Sequence, residues 1–208
     1  DSVDELTFTG AQLAAGQLPS RPFLLIGQMT TSDPSRSPDG TESLWVYTHV
    51  PQDVVGDAAG TIDATGRLRG AALERFVERM EDRIEAHAPG FRSRVLARHV
   101  QGPDDLEAAN PSLVGGDLSG GTTQLHQQLV FRPVAGLARP ETPLDRLFLA
   151  SSSAHPGGSV HGACGANAAR AALLHRRARQ LGKAAGAALA VGLPAATAGA
   201  LARARSGR

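Results

Sequence analysis

A glycine-rich segment that leads directly into an alanine-rich stretch limits most strongly what this chain can fold into. Residues 146–150, Arg-Leu-Phe-Leu-Ala, have the length and apolarity of a buried strand. Residues 151–162 contain three glycines, and residues 163–181 are rich in alanine, which favours a helix. The sequence therefore predicts the order strand, glycine loop, helix.

A glycine loop at the start of a helix can bind a negatively polarised group. Glycine lets backbone amides approach a ligand closely, and the helix dipole adds positive potential. Such a place suits a phosphate or the pyrimidine edge of a flavin. A helix terminus aimed at that edge would stabilise the negative charge that a reduced flavin carries near N1 and the C2 carbonyl. Most such loops are ordinary connections, so the spacing alone leaves both interpretations open.

The first hundred residues carry the pattern of a small sheet with a covering helix. Residues 22–29 and 43–50 are predicted as two antiparallel strands, joined by the turn-rich segment 33–40. Apolar residues then recur at helical spacing over 69–88, which predicts an amphipathic helix that Pro89-Gly90 ends. We predict the α+β fold class from this pattern.

The chain is expected to divide into three parts. A candidate strand at 91–100 is followed by residues 102–121, which are dense in Gly, Pro, Asp and Asn and predict an irregular loop. Residues 123–130 could be a short helix or strand, and 139–143 a turn. We place the boundaries so that the parts are 1–114, 115–181 and an Ala/Gly-rich tail, 182–208.

The tail and the N-terminus raise the question of membrane segments and processing. Residues 184–202 are uncharged and long enough to span a bilayer, but their alanine and glycine content and Pro194 argue for a packed or frayed helix instead. Residues 1–5 show no signal-peptide pattern and no initiating Met, which predicts a processed or excised piece.

Composition excludes little beyond structural zinc and an internal disulfide. The formal net charge is +1, so no global field favours nucleic acid or a membrane as the main partner. A single cysteine, Cys164, fits a reducing compartment. We expect no nucleic-acid partner, membrane contact that is at most peripheral, and a location that is cytoplasmic or membrane-peripheral.

An ordered series of short motifs resembles the C-terminal signature of phytoene-desaturase-like, NAD(P)/FAD-dependent oxidoreductases, over about residues 19–174. The motifs are Asp33-Pro34-Ser35-Arg36, Thr48-His49-Val50-Pro51, Ala88-Pro89-Gly90-Phe91, Gly115-Gly116-Asp117, Arg132-Pro133, Thr142-Pro143, Leu147-Phe148-Leu149, residues 155–162 and Gly165-Ala166-Asn167-Ala168-Ala169. The resemblance implies that residues 1–114 belong to a substrate domain, and that 115–181 return from its sheet to complete an FAD-binding domain.

The same resemblance implies the cofactor, the substrate class and the site. The cofactor would be FAD, and the substrate an apolar organic molecule that is oxidised or desaturated. Residues near the flavin would be Ser152, His155, Pro156, Gly157, Gly158, Ser159, Val160, His161 and Gly162. No general base can be assigned, and no metal is expected, since His155 and His161 lack a third ligand nearby.

Two departures from the family pattern are visible. No Gly-x-Gly-x-x-Gly motif, which would hold the FAD pyrophosphate, occurs in the 208 residues, so a missing N-terminal FAD-binding half is the expected partner and the chain alone would be inactive. Residues 151–153 are serines where related flavoproteins carry an acidic residue or glycine. An amine-oxidase-like flavoprotein and a non-catalytic, truncated binding or scaffold piece stay as alternatives.

Other polar residues have plain explanations beside functional ones. Cys164 is expected to pack at the helix start, and Asp117 to cap a turn. Arg132 could pair with substrate or cofactor, or form a surface ion pair. The basic cluster at 175–183 is expected at a helix end, where the dipole favours cations. Trp45 and Tyr47 could face a substrate cavity, but a sheet core is the default.

Overall fold

The computed structural model describes residues 2–122 and 124–192, with side chains described as far as residue 183. It contains two compact units, one ending at Leu118 and one beginning at Ser119. The chain mixes helices with two-stranded sheets. No helix among the described residues is both long and apolar enough to cross a membrane.

The first unit contains four helices and four short strands in the part that the structure describes. The helices are α1 (Val3–Ala14), α2 (Met29–Ser32), α3 (Gly70–His87) and α4 (Pro103–Ala109). The strands are β1 (Gln17–Leu18), β2 (Leu25–Gln28), β3 (Leu44–Tyr47) and β4 (Gly56–Asp57). β1 pairs in parallel with β4, and β2 pairs antiparallel with β3, with Leu25 opposite Tyr47. The predicted antiparallel pair is thereby confirmed.

The predicted amphipathic helix, α3, covers the core of the first unit. Its Phe76 is almost fully buried and joins the cluster of Leu18, Val54, Ile62 and Leu68. The helix ends at His87, directly before Ala88 and the Pro89-Gly90 pair, as the sequence predicted. The Glu85 carboxylate accepts hydrogen bonds from the amides of Gly90 and Arg92 in the turn that follows. Periodicity and the Pro-Gly pair were sufficient signals for this element.

A buried ion pair between Asp57 and Arg79 links β4 to α3. Arg79 donates from both terminal nitrogens to the Asp57 carboxylate, at 2.7 Å each, and Asp57 also accepts from the amides of Thr61 and Ile62 at 2.9 Å. Burial opposes ionisation of Asp57, but the Arg79 hydrogen bond and the two amides outweigh it and hold the pKa well below its usual range. Asp57 is therefore a charged residue inside the fold at neutral pH.

The strand predicted at 91–100 does not form. The segment begins with a 3-10 turn, Arg92–Arg94, and continues without regular structure, with Leu96 83% exposed. Ion pairs take the place of strand pairing: Arg98 contacts Glu74 and Glu81, and Arg92 contacts Asp82. The segment thus runs against the acidic side chains of α3 instead of joining a sheet.

Helix α4 interrupts the segment 102–121 that was predicted as irregular loop. Pro103 occupies the first turn, and the Asp105 carboxylate accepts from the Gly102 amide at 2.8 Å. Proline and aspartate are favourable in a first helical turn, and both are also common in loops for other reasons. The composition of this segment alone could not distinguish a short helix from an irregular loop.

In the second unit, the structure describes one long helix preceded by loops and 3-10 turns. Two 3-10 turns, Leu125–Gln127 and Leu129–Phe131, lie where a short helix or strand was predicted. The long helix, α5, runs Ala163–Gly192, so the predicted helix is confirmed and extends further. The rest of the tail, 193–208, and with it part of the uncharged stretch 184–202, lies outside the described residues.

The strand predicted at 146–150 is wrong. Phe148 forms only an isolated bridge with Glu141, and Leu147 is 49% exposed. The segment folds back on the predicted turn at 139–143, where the Leu149 amide donates to the Pro140 carbonyl at 2.7 Å. A buried strand lies inside a sheet with strands beside it, and in the described part of this unit the segment has only the single bridge to Glu141. The glycine loop is therefore preceded by a loop, not by a strand.

Candidate functional site

The glycine loop leaves a row of backbone amides open immediately before α5. Residues 158–162 are exposed, and Val160 is fully so. Within the described part of the chain, no amide of residues 157–162 donates a hydrogen bond to the protein. The first helical hydrogen bond runs from the Ala166 amide to the Gly162 carbonyl at 3.0 Å. The amides of the exposed residues 158–162 are therefore available to an acceptor outside the protein.

His161 satisfies one amide at the start of this helix. Its Nδ1 accepts from the amide of Ala163 at 2.9 Å, as an N-terminal cap. The amides of Cys164 and Gly165 have no acceptor among the described residues. His161, predicted to line the flavin, thus has a structural partner of its own, while the amides of Cys164 and Gly165 stay unpaired among the described residues.

Arg132 lies buried under the loop and binds carbonyl oxygens only. It is 2% exposed, and it has no carboxylate partner in the part of the chain that the structure describes. Its guanidinium donates to five backbone oxygens: Gln127 at 2.9 Å, Ser119 at 2.9 Å, Ser152 at 2.7 Å, Gly121 at 3.3 Å and Thr122 at 2.8 Å. The hypothesis of a surface ion pair is wrong, because the side chain instead joins separate loops.

Two glycines allow these loops to meet. A Cβ at Gly157 would lie 3.6 Å from the Arg132 Cδ and 3.3 Å from the Gln128 Oε1, and φ there is +121°. A Cβ at Gly120 would lie 3.0 Å from the Ser152 Oγ. A side chain at Gly120 would crowd the Ser152–Ser153 backbone, and the positive φ at Gly157 disfavours any residue with a Cβ. The glycines of the loop therefore serve internal packing as well as any approach by a ligand.

The open amides of the loop and the buried Arg132 together favour a negatively polarised ligand. A guanidinium keeps its charge when buried, and carbonyl dipoles solvate it without neutralising it. Glu141 and Asp145 are the only acidic residues from Ser119 to the end of the sequence. Open amides at residues 158–162, in a loop whose Ser152 carbonyl accepts from this cation, form a donor set that fits a phosphate or the pyrimidine edge of a flavin, the two classes considered from the sequence.

The predicted site residues divide into an inner and an outer group. Ser152 and His155 are half-buried: the first gives its carbonyl to Arg132, and the second places Nδ1 2.9 Å from the Leu129 carbonyl. Pro156 is also half-buried, and Gly157 is buried. The outer group is exposed and consists of Gly158, Ser159, Val160, His161 and Gly162. The inner group shapes the loop, and the outer group is accessible to a ligand.

Cys164 is part of the packing, as predicted. It is buried, and its thiol donates to the carbonyls of Gly157 at 3.2 Å and Ala154 at 3.5 Å. Among the described residues there is no group of three His, Cys, Asp or Glu side chains that could hold a metal ion.

The sequence did not identify Arg132 as the organiser of the loop. An Arg-Pro pair is a weak signal, and the five carbonyls that Arg132 binds carry no sequence signature. The basic cluster at 175–183 was also misplaced, because α5 continues to Gly192 and the cluster is not at its end. Within it, His175 and Arg179 contact Asp145 at 3.2 and 2.9 Å.

Comparison with known proteins finds relatives that are much longer than this chain. Pyridine nucleotide-disulfide oxidoreductase domain-containing protein 2 of Rattus norvegicus is 35% identical over 159 residues, and so is its Mus musculus counterpart. The match covers 75% of this chain and 26% of each relative, so the chain spans about a quarter of their length. No family model matches the chain, and no solved structure matches it. Over most of its length, the chain is related to one segment of proteins that are named for an oxidoreductase domain.

Proposed function

We propose that this chain is the C-terminal part of an FAD-dependent oxidoreductase or desaturase that acts on an apolar organic substrate. The observation that carries the proposal is the row of open amides at the exposed residues 158–162, in the loop that the buried Arg132 holds through the Ser152 carbonyl. The names of the relatives support redox chemistry in general. The ordered motifs that resemble phytoene-desaturase-like proteins support the narrower class and the α+β arrangement, with residues 115–181 completing an FAD domain.

Each part of the loop has a role in this proposal. The open amides of residues 158–162, with those of Cys164 and Gly165, would hold the negatively polarised edge of the flavin. Arg132 keeps the loop in shape through the Ser152 carbonyl and adds positive potential beneath it. His155 and Ser152 would lie beside the ribityl chain or the ring. Bound FAD would supply the acceptor for a hydride from a substrate carbon.

A further polypeptide segment is part of the proposal. The sequence lacks a Gly-x-Gly-x-x-Gly motif, and the two-stranded sheet of β2 and β3 leaves Leu25, Ile26, Leu44 and Trp45 more than one-third exposed. An isolated two-stranded sheet is marginally stable in water. We propose that an N-terminal FAD-binding half covers this sheet and supplies the pyrophosphate site, and that the chain is inactive without it. The single cysteine fits a reducing, cytoplasmic compartment.

A charge placed on the loop tests the proposal. Ser159 is exposed, so Ser159→Asp leaves the packing intact while it repels a negatively polarised ligand. In protein purified from its source with any complementing half, we expect FAD affinity, measured by titration of flavin fluorescence, to fall about tenfold or more. Ser112→Asp, on an exposed loop of the first unit, is the matched control and should bind FAD normally. Equal affinities for the two variants would contradict the proposed site.

A further inference from the structure

The two units of this chain carry opposite charge, which the net value of +1 conceals. Residues 1–118 contain 18 acidic residues and 10 arginines, a net charge of −8. Residues 119–208 contain 11 basic and two acidic residues, a net charge of +9. Such an asymmetry between halves indicates an anionic partner for the basic half.

Helix α5 carries most of that charge in the described part of the unit. Asp145 contacts the arginines Arg146 and Arg179, and also the His175 ring. Four other cations of α5 are exposed and have no carboxylate partner among the described residues: Arg170, Arg176, Arg177 and Lys183. Exposed cations that no acid neutralises attract anions over roughly a Debye length, about 10 Å at moderate salt.

Leucines share the exposed side of the helix with these cations. Leu173, Leu174 and Leu181 are 53%, 63% and 72% exposed. At 100° per residue, Arg170, Leu173, Leu174, Arg177 and Leu181 fall within an arc of about 100°, and we call this arc the Arg/Leu face of α5. Cys164, Ala168 and Ala171 lie on the opposite side, and all three are buried. The Arg/Leu face is thus directed away from the side of the helix that packs against the unit.

We propose that the Arg/Leu face of α5 binds the surface of an anionic lipid bilayer. Arginines attract acidic headgroups, and their long apolar stems let leucines beside them reach the acyl boundary. A nucleic acid would satisfy the arginines but offer no apolar phase to three exposed leucines. An interfacial helix of this kind lies in the plane of the membrane and does not span it. The proposal does not depend on flavin binding.

Vesicle sedimentation with the full chain tests the proposal. The probes are phosphatidylcholine vesicles with and without phosphatidylserine, at low and high salt. We expect binding only to the phosphatidylserine vesicles and loss of binding at high salt. Replacing Arg170 and Arg177 by Gln should weaken binding about twenty-fivefold, since each basic residue near such a surface contributes roughly a factor of five.

Two further variants make the test specific. Arg75→Gln with Arg94→Gln removes the same charge from exposed, unpaired positions in the described first unit, and it should bind like the unmodified chain. Leu173→Gln with Leu181→Gln should also weaken vesicle binding, because it removes the apolar contact. Circular dichroism verifies that each variant keeps its helices.

Four outcomes would overturn the proposal. Equal binding to vesicles with and without phosphatidylserine would show that charge does not direct the binding. Absence of binding to either kind of vesicle would show that the face does not bind a membrane. Tight binding of a nucleic acid that the leucine variant leaves unchanged would assign the surface to that partner. Salt-sensitive self-association lost in the arginine variant, without vesicle binding, would assign it to the acidic unit of a second copy.

Discussion

Arg132 joins the loops of the second unit, because its one side chain donates hydrogen bonds to carbonyls in several of them. Its guanidinium reaches carbonyls in residues 119–122, at Gln127 and at Ser152, and packs beneath Gly157. A rigid fork with five donors is suited to several carbonyls at once, whereas lysine has three donors on one atom. The shape of the open loop therefore depends on this residue more than on any element of secondary structure before α5.

Replacement of Arg132 by Met is expected to destabilise the second unit strongly. The variant leaves five carbonyl oxygens without their donor, and each unsatisfied buried group costs about 1–3 kcal/mol unless water replaces the donor. We predict a loss of at least about 3 kcal/mol in the free energy of unfolding, measured by urea denaturation. Arg139→Met, at an exposed position without an ion pair in the described residues, is the control. A shared urea midpoint for the two variants would show that Arg132 is not the organiser.

At the scale of residues, the sequence predicted which residues are buried better than it predicted the hydrogen-bond partners of polar side chains. The burial of Cys164 followed from its small neighbours. The position of Arg132 did not follow, because carbonyl partners are backbone groups that every sequence provides. The cofactor-binding residues implied by the family resemblance stay a prediction, and the structure adds that Ser152 and His155 shape the loop from inside while residues 158–162 are exposed.

At the scale of elements, the Asp57–Arg79 pair holds β4 against α3 inside the first unit. The Asp57 side chain is almost completely buried, and Arg79 also donates to the Pro19 carbonyl at 2.8 Å. Removing one partner of a buried pair leaves an uncompensated charge. The pair therefore couples the helix to the sheet as well as to the apolar core.

The stability of the first unit should depend on pH through this pair. The pKa of Asp57 is lowered in the fold, so its stabilising effect is complete above the unfolded pKa of about 3.9 and is lost as the pH falls below it. We predict that Asp57→Asn costs about 3 kcal/mol at neutral pH, and that this difference shrinks as the pH falls below about 4.

Urea denaturation of both proteins across this pH range measures the effect. Asp63→Asn, at an exposed carboxylate of the same unit, should show a much smaller cost at every pH. A cost of Asp57→Asn that stays constant between neutral and acidic pH would contradict the assigned charge state.

Helices and strands with a clear hydrophobic period were predictable from the sequence. Segments whose structure depends on what packs beside them were not. The β2–β3 pair and α3 follow from alternation and helical spacing within one segment. The segments 91–100 and 146–150 have the apolarity of strands, but a strand also needs a neighbour, and ion pairs to α3 and a fold-back loop occupy those segments instead. Helix α4 was missed because Pro103, Asp104 and Asp105 are common both in loops and in first helical turns.

At the scale of the whole molecule, the proposed function and the proposed membrane surface belong to the same unit but rest on different observations. The open amides before α5 support a flavin site, and the Arg/Leu face supports an anionic membrane. The two proposals are compatible with an apolar substrate, since such a substrate partitions into membranes. The chain covers about a quarter of the length of its relatives, so activity is to be measured on protein that includes any complementing half.

Hydrogen exchange of the amides at residues 157–165, followed by mass spectrometry with and without FAD, tests the central claim most directly. The protein is purified from its source with any complementing half, and the helix α4 serves as an internal reference. We predict that FAD slows exchange in residues 157–165 and leaves α4 unchanged. Bound FAD, visible in the absorbance spectrum, together with unchanged exchange at residues 157–165 would contradict the site, and protein that binds no FAD at all would contradict the proposed function.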